Sequence, residues 1–71
     1  MEFNEKLQEL RKSKSLTQEE LAEALFVSRT AISKWEQGRG YPSIDSLKEI
    51  SRFFSVSIDD LICSDEIISA A

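Results

Sequence analysis

The segment 17–38, TQEELAEALFVSRTAISKWEQG, constrains the fold most, because it encodes two short helices and a tight turn between them. Thr17 and Glu20 have the spacing of a capping box, which predicts a helix start directly after Thr17. An apolar stripe follows at helical spacing and consists of Leu21, Ala22 and Leu25. Ser28 offers a second N-cap only three residues after Leu25, so the connection between the helices must be short.

The second of these helices carries a polar and basic outer face. Ile32 and Trp35 form its buried stripe, which leaves four residues pointing outward: Arg29, Thr30, Ser33 and Lys34. These side chains offer hydrogen-bond donors and a methyl group, which can bind the edges of bases in the major groove of DNA. We therefore expect these four residues to read bases. The alternatives are that Arg29 pairs with Glu23 or Glu36 and that the others are solvated surface residues.

Periodicity predicts three further helices. The first of them covers about residues 3–13 and precedes the two central helices, which cover about 18–25 and 29–36. Gly38 is placed to end the third helix in a left-handed cap, and Pro42-Ser43 starts a fourth. The expected inner face of that fourth helix is Ile44, Leu47, Ile50 or Ser51, and Phe54. Ser57 caps a short fifth helix, whose apolar positions are Val56, Ile58, Leu61 and Ile62.

The central segment resembles the helix-turn-helix of the lambda-repressor/Cro-like (Xre-type) transcriptional regulators. The matching positions are Gln18, Leu21, Ala22, Leu25, Val27, Ile32 and Trp35. The resemblance extends over roughly residues 3–62 and implies an all-α, compact five-helix DNA-binding domain with its helix-turn-helix at helices 2 and 3. We therefore expect one domain over residues 1–62 and a tail over 63–71. Many family members carry glycine where this chain has Phe26. A positive φ at Phe26 would be strained, so we expect instead a slightly different turn, with the ring covering the edge of the core.

The same resemblance implies contacts with the DNA backbone. Gln18 matches a family position that contacts phosphate, and the backbone N–H groups at its helix start favour an anion as well. Ser28 is expected to combine its cap with a phosphate contact. Arg39 and Tyr41 lie in the loop that resembles the family's backbone-contacting segment, although packing of the Tyr41 ring is an equally good interpretation.

Composition argues against catalysis. The chain has 71 residues, no histidine and one cysteine, Cys63, and it lacks a glycine-rich phosphate loop. We therefore expect no enzyme, cofactor or metal site, and we interpret Cys63 as an ordinary thiol rather than a redox sensor. No apolar run approaches the roughly 20 residues that span a membrane, no signal peptide is recognisable, and a single cysteine fits a reducing cytoplasm.

The net charge of −4 argues at first against DNA binding, which depends on neutralising phosphates. The cations, however, concentrate in two blocks. One block holds Arg11, Lys12 and Lys14, and the other holds Arg29, Lys34 and Arg39. Such a polarised chain can present a basic face to a duplex while the rest of its surface repels phosphate.

One such domain covers only a few base pairs, so we expect a homodimer on a near-palindromic double-stranded operator. The candidate dimer surface is the apolar side of helix five together with two residues of the tail: Ile58, Leu61, Ile62, Ile67 and Ile68. Core packing is the alternative for Leu61 and Ile62, and it is the favoured interpretation of Leu61. Our leading hypothesis is a cytoplasmic repressor. The alternatives are an antitoxin that also binds a toxin or other protein antagonist, a protein-interaction module that no longer binds DNA, and the N-terminal part of a larger ligand-sensing protein.

Overall fold

The computed structural model describes residues 2–62, which form five α-helices and no strand. The helices are α1 (Phe3–Ser13), α2 (Gln18–Leu25), α3 (Arg29–Glu36), α4 (Ile44–Phe54) and α5 (Ile58–Leu61). The all-α expectation and the approximate helix bounds are confirmed. Within residues 2–62 no helix combines the length and the apolar content needed to cross a bilayer. The predicted tail, 63–71, lies outside the described residues.

Side-chain caps fix where the helices begin. The Thr17 hydroxyl accepts a hydrogen bond from the Glu20 N–H at 3.0 Å, and the Glu20 carboxylate accepts one from the Thr17 N–H at 2.8 Å. The hydroxyls of Ser28, Ser43 and Ser57 each accept a hydrogen bond from the backbone N–H three residues later and so cap α3, α4 and α5. Because each cap satisfies a backbone donor that the helix cannot, these hydroxyls determine the helix starts. The fourth helix starts later than expected, with Ser43 as its N-cap.

One hydrophobic core joins all five helices. Its buried members are Phe3, Leu7, Leu21, Ala22, Leu25, Ile32, Trp35, Leu47, Ile50, Phe54 and Leu61. The expectation that Trp35 belongs to the core is confirmed. The expectation for Ile44 is wrong, because its side chain is 64% exposed. The buried row of α4 begins one turn later, at Leu47, and the loop before the helix buries Pro42 instead.

Four tight turns share one left-handed geometry. Ser15, Phe26, Gly38 and Ser55 all have φ between +56° and +73°. In each case the next residue donates its N–H to the carbonyl five positions earlier, as Val27 does to Ala22 at 3.0 Å. This is the Schellman closure of a helix C-terminus. Gly38 confirms the predicted left-handed cap, and it is the one glycine among the four.

Phe26 contradicts the expected turn in two respects and adopts the left-handed alternative instead. The residue adopts φ +58° and ψ +41°, so the turn is built as it would be with glycine. Its side chain is 90% exposed and does not cover the core. The hydrogen bond from Val27 to Ala22 requires a left-handed residue between α2 and α3, and in that conformation the ring of Phe26 points into solvent.

Candidate nucleic-acid interface

Helix α3 is held by its back and exposed along its front. Ile32 is fully buried and Trp35 is 8% exposed, which fixes the rotation of the helix about its axis. Arg29, Thr30 and Lys34 are exposed as a result, and Ser33 is half-buried. The periodicity argument for the outward face therefore describes the structure correctly, although the roles of these residues stay predictions.

A single open depression of about 440 Å³ brings the outward residues together. It is lined by Arg29, Thr30, Ser33, Lys34, Gln37 and Arg39. All four residues that the sequence nominates for base reading lie here, and so does Arg39 from the phosphate-contacting set. Gln37 was not nominated. Its position follows from helical spacing, since it stands four residues after Ser33.

The cations of this surface are available to bind an anion. Within residues 2–62, Arg29, Lys34 and Arg39 form no ion pair. The alternative in which Arg29 pairs with Glu36 or Glu23 is therefore not what the structure contains. Three unneutralised cations along one face supply the electrostatic attraction that binding to a phosphate backbone requires.

Glu36 has a different partner. Its carboxylate accepts hydrogen bonds from Arg11 Nε at 2.7 Å and Arg11 Nη2 at 3.1 Å, and its side chain is 4% exposed. Arg11 Nη1 also donates to the carbonyl of Leu16 at 2.8 Å. The hydrogen bond to Glu36 raises the pKa of Arg11 and outweighs the opposing effect of burial. Arg11 therefore belongs to an internal pair, and the first basic block is left with Lys12 and Lys14 as exposed cations.

The same carboxylate also orients α2. Gln18 Nε2 donates to Glu36 Oε1 at 3.2 Å, and Gln8 Nε2 donates to the Glu36 backbone carbonyl at 2.9 Å. Glu36 thus links α1, α2 and α3, and residues 2–62 contain no buried side-chain N or O atom without a hydrogen-bond partner. Sequence reasoning missed this network. The available signal was an acidic residue four positions after Ile32 on a buried helix face, where a charge needs a partner.

The other residues predicted to contact phosphate lie in different environments. Gln18 is half-buried at the start of α2 and is held by Glu36. The Ser28 oxygen accepts from the Ala31 N–H at 3.1 Å, which leaves its exposed O–H to donate. The Tyr41 ring packs on Phe3 with 4.9 Å between centroids and is 51% exposed, so the packing interpretation describes part of its role.

The candidate dimer surface is only partly described. Leu61 is fully buried, which confirms core packing for this residue, while Ile58 and Ile62 are half-buried. Ile62 packs against the core, so it offers less free apolar surface than expected. Ile67 and Ile68 lie outside the described residues.

The helix-turn-helix family model matches residues 7–61. The chain belongs to the helix-turn-helix family of transcriptional regulators. The chain is 68% identical over 71 residues to the HTH-type transcriptional activator BcrR of Enterococcus faecalis. The alignment covers all of this chain and 35% of that protein. It is 34% identical over 61 residues to the cryptic phage CTXphi transcriptional repressor RstR of Vibrio cholerae, covering 86% of this chain and 54% of that protein.

Solved structures of helix-turn-helix proteins have the same fold. The P22 c2 repressor in complex with synthetic operator 9T superposes with a TM-score of 0.83 at 29% identity, covering 87% of this chain and 94% of that one. The restriction-modification controller protein C.AhdI of Aeromonas hydrophila gives a TM-score of 0.77 at 27% identity, over 84% and 91% of the two chains. This family consists of DNA-binding regulators and is not a class of enzymes. The chain spans 35% and 54% of the lengths of BcrR and RstR.

Proposed function

We propose that this regulator binds a specific double-stranded operator by inserting α3 into the major groove. The observation that carries the proposal is the common depression in which Arg29, Thr30, Ser33, Lys34 and Arg39 meet without a carboxylate partner among residues 2–62. A buried back and an unneutralised polar front are what a groove-reading helix needs. The cytoplasm, where such an operator is accessible, is the proposed site of action.

Different residues have different tasks in this proposal. Arg29, at the first position of α3, binds guanine O6 and N7 with its guanidinium fork. Thr30 contacts a thymine methyl group, and Ser33 and Lys34 reach bases one turn further along. The phosphate contacts come from Gln18, Ser28, Arg39 and Tyr41, of which Gln18 and Ser28 start helices whose free N–H groups favour an anion.

The operator is proposed to be nearly palindromic and bound by a homodimer. A single α3 can contact only a few base pairs, so two copies on half-sites about one helical turn apart are needed for useful specificity. The exposed parts of Ile58 and Ile62, together with Ile67 and Ile68, form the proposed dimer surface. One alternative is that the protein also binds a protein antagonist or a toxin. Another is that it is a protein-interaction module that does not bind DNA. The cations of α3 that form no ion pair argue against this second alternative.

The direction of regulation has two candidates. Repression was the expectation from the sequence, and RstR and the P22 c2 protein are both named repressors. Activation is favoured by the 68% identity with a protein named an activator. A reporter gene whose promoter carries the selected operator separates the two: expression that rises with the regulator supports activation, and expression that falls supports repression.

The proposal is tested by selecting bound fragments from a random duplex library at about 0.15 M salt. The wild type should enrich an inverted repeat. Arg29→Ala should lose preference at one base pair of each half-site, with a loss of about 1–3 kcal/mol on the selected site. Arg39→Ala should weaken binding to all sequences and reduce the dependence on salt by about one phosphate contact. If the folded wild type enriches no sequence, the proposal is wrong.

A further inference from the structure

Gln37 is anchored on the outward face of α3 by a residue one turn before it. Its Nε2 donates to Ser33 Oγ at 2.9 Å, and its backbone N–H donates to the Ser33 carbonyl at 3.0 Å. The residue is the C-cap of α3, is exposed, and lines the same depression as Arg29 and Lys34. A long side chain held in this way has less freedom to lose on binding than a free one.

The hydrogen bond also fixes which groups remain available. A glutamine amide has two N–H donors and one carbonyl acceptor. Ser33 accepts from one of the two donors, so Gln37 keeps its second N–H and its carbonyl oxygen for another partner. The Ser33 oxygen is the acceptor of that bond, which leaves its own O–H to donate elsewhere.

We propose that Gln37 is a specificity-determining residue that reads an adenine in the major groove, with Ser33 as its positioning residue. The inference rests on the proposed function. Adenine presents the N7 acceptor next to the N6 donor, which matches one N–H beside one carbonyl. Guanine presents two acceptors, N7 and O6, and these match the guanidinium of Arg29 instead.

Arg29 and Gln37 lie too far apart to contact the same base pair. They are eight positions apart on α3 and its cap, and a rise of 1.5 Å per residue separates them by about 12 Å along the axis of α3. Each half-site is therefore expected to contain a guanine and an adenine at separate base pairs.

The test repeats the library selection with Gln37→Ala and Ser33→Ala, with Arg39→Ala as the comparator for a phosphate contact. Gln37→Ala should lose the preference for one A·T pair and bind the selected site about 10-fold more weakly, with an unchanged salt dependence. Ser33→Ala should weaken the preference at the same pair and also at the base that Ser33 itself is proposed to contact. On a duplex in which that pair is replaced by G·C, the wild type and Gln37→Ala should bind equally well.

Three outcomes overturn the inference. If Gln37→Ala behaves like Arg39→Ala, with weaker binding to every sequence and a smaller salt dependence, Gln37 contacts a phosphate. If Gln37→Ala keeps every base preference while Arg29→Ala loses one, Gln37 reads nothing although the proposed function holds. A wild type that enriches no site overturns the proposed function and this inference with it. Circular dichroism checks that Gln37→Ala and Ser33→Ala, which change the outward face of α3 and its C-cap, are folded.

Discussion

Replacement of Glu36 by alanine removes the carboxylate that links α1, α2 and α3. In the wild type this group accepts two hydrogen bonds from Arg11 and one from Gln18, and it is almost completely withdrawn from solvent. The variant leaves the Arg11 guanidinium, itself 14% exposed, with the Leu16 carbonyl as its remaining partner. An uncompensated charge in this position is far more costly than a missing surface contact.

The magnitude follows from burial. Breaking a buried ion pair by removing one partner costs about 3–5 kcal/mol, whereas a domain of this size has a total stability of about 4–10 kcal/mol. Glu36→Ala should therefore remove about a third of the free energy of unfolding at the least, and all of it at the lower end of the stability range. Replacing both partners by apolar residues, Arg11→Met with Glu36→Leu, should recover most of the loss, because no charge is then left without a partner.

Urea denaturation followed by circular dichroism measures these differences. The matched control is Glu49→Ala, which breaks the exposed pair between Glu49 and Arg52 at 3.1 Å. That pair is solvated on both sides, so its loss should change the free energy of unfolding by less than about 0.5 kcal/mol. If Glu36→Ala costs no more than Glu49→Ala, or if the double replacement is as unstable as the single one, the reasoning about the buried network is refuted.

Three further predictions concern single positions. Phe26→Gly should raise the free energy of unfolding by about 0.5–1 kcal/mol, since glycine removes the left-handed strain of an exposed side chain, and a lower urea midpoint would contradict this. Thr17→Ala should lower the free energy of unfolding by about 1 kcal/mol, because the capping box is lost. Urea denaturation measures this change as well, and an unchanged midpoint would show that the cap contributes little. Ile62→Asp should weaken dimerisation in light scattering, and a wild type that is monomeric at micromolar concentration removes the basis of that prediction.

Local chemistry made most of this fold predictable from the sequence. Thr17, Ser28 and Ser57 are caps whose partners lie three residues away, so their effect is legible without any knowledge of the tertiary structure. The outward face of α3 follows from the same kind of reasoning, because Ile32 and Trp35 can be buried together only if Arg29 and Lys34 point outward.

The sequence did not reveal features that depend on contacts between distant residues. Arg11 looked like part of a basic patch, yet its partner stands 25 positions later and turns it into an internal residue. Phe26 was misread because propensity argues against a left-handed phenylalanine, whereas the closure of α2 onto α3 requires that conformation from whatever residue is present. Ile44 was misplaced because periodicity does not show where along a helix the core ends.

The burial of Arg11 also changes the electrostatic argument for specificity. With one cation of the first block neutralised, the exposed positive charge near α3 comes mainly from Arg29, Lys34 and Arg39, on a chain of net charge −4. Binding to arbitrary DNA depends on phosphate neutralisation, so we expect it to be weak for this chain. Contacts with bases would then supply a large share of the affinity for the proposed operator. Because selectivity is the ratio of the two affinities, we expect the acidic surface to raise the preference for the operator by weakening the binding to all other DNA.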